Sequence, residues 1–111
     1  LLQIFEAVYE NKPFIINAYN AVSREQIENF LFQLTHDLIM SVVEEQARST
    51  SLTQEQKSFI ADFYKYSFVG IMLDWIRHGM RSDYVSICDN MCITIHGNIT
   101  NSIQNFTKHA K

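Results

Sequence analysis

The residues of this sequence best suited to chemistry are Cys88, Cys92 and His96, spaced four and four apart. On a helix that spacing keeps neighbours on one face, and thiolate and imidazole are favoured ligands for zinc and soft ions. Two adjacent members could share an ion, but the third lies two turns from the first. Small apolar residues at a helix contact, beside a hydrogen-bonded histidine, account for the same pattern, and no bound metal is expected. His36 and Asp37 fall in mid-helix, where either could anchor the polar end of a ligand, although a solvated helix face explains them more simply. The chain contains no Gly-rich phosphate loop, no HExxH, no ExxH pair and no nucleophile with an evident base. The expectation is a protein that is not an enzyme and has no cofactor.

A second set consists of rings. Phe14, Tyr19, Phe30, Leu34, Phe59, Phe63 and Tyr66 come from several predicted helices and could line a cavity between them. Ordinary core packing is the competing explanation for each.

The elements that must position these residues are helical. In 111 residues there are only 3 Gly and 1 Pro, too few for a series of hairpin turns, and the apolar residues recur at three and four rather than at two. One all-α domain covering 1–111 is expected, a bundle of about five helices. The first runs from Leu1 to Glu10 and starts without a capping residue, which suggests a preceding segment. Pro13 opens a short second helix to about Tyr19. Ser23 and Gln26 have the spacing of a capping box ahead of a long third helix, and Thr53 and Gln56 repeat it ahead of the fourth. Arg77, His78 and Gly79 mark the end of the fourth, and Ser82 is the expected cap of a last helix reaching about Phe106.

Between Phe63 and Asp83 the fourth helix is apolar nearly all round, and such a helix must be covered on more than one side. Gly70 and Gly97 fall inside the last two predicted helices, where glycine costs about 1 kcal/mol against alanine; close approach of another backbone is the expected reason, with tolerated drift as the alternative. The last helix also carries small side chains on its faces. These features predict that the last two long helices pack on their own domain with one side and on a second copy with the other, forming a four-helix bundle across a twofold axis. Gly70, Ile71, Trp75, Met91, Ile95 and Ile99 are the expected contact residues and their immediate support.

A net charge of −3 gives no footprint for gripping nucleic acid. No apolar run approaches the roughly 20 residues of a membrane span. Two cysteines four apart suit a reducing compartment.

The stretch Phe63 to Ile99, with the aromatic pair Phe63-Tyr64, then Gly70, Trp75 and Gly79 before a new helix cap, resembles the end of the C-terminal regulatory domain of TetR/AcrR-type transcriptional repressors, in a branch common in Gram-positive bacteria. Leu1 to Asn20 resembles the segment that follows the DNA-binding part there. The resemblance implies a cytoplasmic bacterial regulator with a helix-turn-helix domain ahead of Leu1, through which alone it would meet operator DNA. It also implies homodimerisation through the last two helices and a small apolar or aromatic effector enclosed by the earlier ones. The alternative from a different class is a helical adaptor that binds a partner protein and senses no ligand.

Overall fold

The computed structural model describes residues 1–21 and 23–109. The fold is all-α, with helices α1 Leu2–Glu10, α2 Lys12–Tyr19, α3 Arg24–Gln46, α4 Gln54–Arg77, α5 Tyr84–Ile95 and α6 Asn98–His109. The expected fifth helix is thus two helices, broken at His96 and Gly97.

Local chemistry accounts for most of the boundaries. Asn11 separates α1 from α2 and donates from Nδ2 to the Ala7 carbonyl at 2.8 Å, and Pro13 sits in the first turn of α2. At Thr53 the backbone is extended, and the capping box is complete: the Gln56 amide donates to Thr53 Oγ1 at 3.1 Å while Gln56 Oε1 accepts from the Thr53 amide at 3.0 Å. Ser23 has the same sequence signal but no box. Its backbone, at φ −85° and ψ 8°, does not present the hydroxyl to the amide of Gln26, and Ser23 Oγ donates to the Ala18 carbonyl instead.

The end of α4 is a Schellman motif. The Met80 amide donates to the Trp75 carbonyl and the Gly79 amide to Ile76, with Gly79 at φ +79°. Buried Met80 then packs in the same cluster as Trp75. Asp83, not Ser82, caps α5: its carboxylate accepts from the Val85 amide and from Ser86 Oγ. The Ser82 carbonyl is engaged elsewhere, accepting from Trp75 Nε1 at 2.9 Å.

Helices α3 and α4 form an antiparallel pair, in which Glu44 meets Lys57 near one end and Phe32 meets Tyr66 further along. Helix α1 packs on α5 at one end of this pair, and α6 lies across both α3 and α4 at the other. Two buried clusters result. The first holds Phe5, Leu31, Val69, Met72, Trp75 and Met91 among others. The second holds Ile39, Val43, Leu52, Ile60, Ala61 and Ile103. Phe68 packs against both. The principal extents are 50 × 28 × 17 Å. With helix axes about 8–10 Å apart, the short dimension holds at most two helix layers, so some helix faces have no neighbour.

Thr35, on α3 between Leu31 of the first cluster and Ile39 of the second, is fully buried and its Oγ1 has no hydrogen-bond partner. A buried hydroxyl without a partner costs about 1–3 kcal/mol. Thr35→Val, which keeps the shape and removes the hydroxyl, should therefore raise the unfolding free energy by about 1 kcal/mol. A chemical denaturation midpoint moving upward at constant slope is the expected result; a lower midpoint would mean that the hydroxyl makes a bond that matters.

Candidate functional site

Helix α4 presents a row of large apolar side chains to solvent. Phe59, Phe63 and Tyr66 are each more than 60% exposed, and Ile71 is 42% exposed. Gly70, also exposed, interrupts the row, and a Cβ built on it meets nothing within 4 Å. Among the described residues nothing crowds that position, so no helix of this chain makes the close approach expected at Gly70. Gly97 is not a mid-helix glycine at all: its φ of +79° places it in the turn between α5 and α6.

Beside this row lies an open groove of about 430 Å³ between α4 and α5. Tyr64, Ser67, Phe68 and Ile71 form its α4 wall, Ile87, Asn90, Met91, Thr94 and Ile95 its α5 wall, and Asn98 closes the end where α6 begins. None of these side chains carries a charge. The Tyr64 hydroxyl hydrogen-bonds Ser102 Oγ at 2.9 Å.

The position of α5 relative to α4 is set by an aromatic cluster. Trp75 contacts Phe5 at 5.1 Å, Tyr84 at 5.9 Å and Tyr9 at 6.2 Å between ring centroids, and its indole N–H is tied to Ser82. Burial, reinforced by Glu6 and Glu10, raises the Tyr84 phenol above its ordinary range, so the ring stays neutral.

Of the residues expected at a dimer contact, Gly70 and Ile71 are exposed and Ile95 and Ile99 half-buried, whereas Trp75 and Met91 are core residues behind them. Ile71, Met91 and Ile95 come together along the groove. The expected pocket residues do not converge in this way. Tyr19 is buried, with the Arg24 guanidinium 4.6 Å from its ring centroid. Phe14 on α2 and Phe30 and Leu34 on α3 point outward, as do Phe59, Phe63 and Tyr66 on α4. Phe59 borders an open depression of about 490 Å³ with Thr53, Glu55, Gln56 and Phe106, and none of the seven lines the α4–α5 groove. Sequence patterning missed Ser67, Asn90, Thr94 and Asn98, short polar side chains that become groove walls only because α5 stands off from α4.

Cys88 is buried and Cys92 exposed. Burial raises the Cys88 thiol pKa, which keeps it protonated and a poor ligand. His96 lies in the turn after α5, off the helix that would have aligned it with the cysteines. Asp37 is exposed and accepts from Gln33 Nε2. His36 Nδ1 lies 2.9 Å from Asp62 Oδ1, across the α3–α4 seam and off the line of a hydrogen bond. No helix among the described residues is long and apolar enough to cross a membrane.

With that geometry in view, residues 1–97 match the family of TetR-type regulators described as transcriptional regulator C-terminal region. The chain belongs to this family, as a TetR-family C-terminal regulatory domain. No curated protein and no solved structure matches it.

The Asp62 carboxyl is held below its ordinary range, first by the hydrogen bond from Lys65 and then by the charges of Lys65 and His36. A depressed folded value adds stability that is complete above the ordinary carboxylate value of about 4 and disappears as the pH falls through the folded value. Because Asp62 is 44% exposed, solvent screening keeps the effect to at most about 1 kcal/mol. Asp62→Asn should therefore lower stability slightly at pH 7, and the gap to wild type should close on acidification. Melting curves at several pH values measure this; a gap that widens in acid would contradict it.

Proposed function

We propose that this chain is the dimerisation and effector-sensing part of a TetR-type transcriptional repressor, with DNA contact made by a helix-turn-helix unit that precedes it. The exposed α4 row of Phe59, Phe63 and Tyr66, which ends at exposed Gly70 with Ile71 on the flank facing the groove, is the observation that carries the proposal. Large exposed apolar side chains at helical spacing are the mark of an interaction surface, and a glycine beside them lets a second backbone come close.

Size decides how much surface must take part. A 24-residue helix is about 36 Å long and about 10 Å wide, so α4 alone offers some 360 Å² to a partner. A stable interface needs about 800 Å² per partner. The contact must therefore extend beyond α4, over the groove and onto α5, which is the arrangement of two helices from each copy around a twofold axis. Dimerisation along this line would also roof the groove. The groove's uncharged lining suits a neutral, largely apolar effector with a hydrogen-bonding group for Ser67, Asn90 or Thr94. Such an effector would act only through different affinities for the two states of the regulator.

Ile71→Glu and Ile95→Glu place a charge in the proposed contact at positions the monomer leaves at least partly solvated, so the folded chain should tolerate them while the dimer should not. Size-exclusion chromatography with light scattering should show helical monomers. A dimer that survives both substitutions would place the contact elsewhere. Neutral apolar compounds should raise the melting temperature of the dimer, because a ligand of the native state alone stabilises it; a panel without any shift would leave a dimerisation module that senses no small molecule.

A further inference from the structure

The corner between α5 and α6 has two properties compatible with a second, straight arrangement of the chain. First, the apolar stripe keeps helical register through it: Cys88, Ile95, Ile99, Ile103 and Phe106 would share one face if α5 and α6 were a single helix. Secondly, the carbonyl that the bend strips of its helical partner has a substitute. In a continuous helix the Thr94 carbonyl would accept from the Asn98 backbone amide; in the bent structure it accepts from the Asn98 side-chain Nδ2 at 3.4 Å. The acceptor is thus satisfied in either arrangement.

Few dihedrals separate the two. His96 has ψ 122° and Gly97 has φ +79°, and bringing these two residues to helical values near φ −63° and ψ −42° would straighten the chain. A Cβ on Gly97 would meet nothing within 4 Å, so it is the positive φ of the bend, and not crowding, that calls for glycine here. In the bent form α6 covers the second core cluster through Ile103 and is pinned by Thr100 Oγ1 donating to Gln46 Oε1 at 2.6 Å and by the Ser102 contact with Tyr64. Helix α6 also lies just beyond the stretch that matches the family, which ends at Gly97.

We infer that α6 is a hinged strap, closed over the α3–α4 seam in the bent form and opened by straightening at Gly97 into one α5–α6 helix. The straight helix would run about 39 Å over 26 residues, close to the length of α4. Opening therefore lengthens the second helix of the proposed dimer contact while uncovering the second core cluster. The coupling to dimerisation rests on the contact proposed above; the hinge itself does not.

Spin labels at Glu45→Cys and Asn105→Cys, both exposed, in a Cys92→Ser background report the α3–α6 distance, with buried Cys88 left unlabelled. Pulsed dipolar measurements use labelled chain diluted in unlabelled chain, so that distances are intramolecular whatever the oligomeric state, which light scattering records separately. The expected result is a short and a long distance, with the share of the long one at least doubled in Gly97→Ala, because alanine disfavours positive φ and favours helix. Trp75 emission and helical circular dichroism should be unchanged. A single short distance in both proteins would overturn the hinge, and so would a long distance accompanied by loss of helicity, which would mean that α6 melts instead of straightening.

Discussion

Helix α4 carries more apolar surface than the other described helices cover, and the remaining structure is arranged around that excess. One side of the helix is filled chiefly by α3, with α2 and α6 on either end, and Ile60, Ala61, Val69, Met72 and Ile76 are buried there. The other side keeps Phe59, Phe63 and Ile71 in water, in a body only 17 Å through its short dimension. Each buried square ångström of such surface contributes roughly 25 cal/mol. A third layer of helices would recover that free energy, and a second copy of the same surface is the most economical third layer, since a twofold axis lets one patch cover itself.

The aromatic cluster around Trp75 converts this excess into a shaped site. With the indole clamped between Phe5, Tyr9 and Tyr84 and bonded to Ser82, α5 leaves the end of α4 at a set angle instead of lying along it. The gap that opens is the groove, and its walls alternate apolar floor with short polar tips. At its far end Asn98 belongs both to the groove and to the α5–α6 corner. The groove, the proposed dimer face and the proposed strap therefore meet within a few residues, which is where a regulator must place its parts if events at one are to be felt at another.

Much of this was legible in the sequence because it depends on local chemistry. The capping box at Thr53, the proline at the start of α2 and the glycine at the end of α4 each act within a turn of helix, and each is found as expected. Ser23 shows the limit of such signals: the same box spacing yields no box, because the backbone dihedrals at the cap are set by how α2 meets α3. Ser82 failed as a cap for a related reason, its carbonyl and neighbourhood being claimed by Trp75. The break at His96 and Gly97 was hidden because the stripe continues through it, and what favours the bend is largely tertiary: Ile103 laid on the second cluster and the bonds from Thr100 to Gln46 and between Ser102 and Tyr64. Rings such as Phe14, Phe30 and Phe63 looked like pocket lining because helical spacing tells that a residue is on an apolar face but not whether anything covers that face.

The chain is a TetR-family regulatory domain, and the central claim about it is that α4 and α5 meet a second copy of themselves. Native mass spectrometry of the gently purified chain tests this most directly. The account predicts a dimer, with additional mass if a neutral small molecule is retained in the groove. A monomer at concentrations where the helices are fully folded would contradict it.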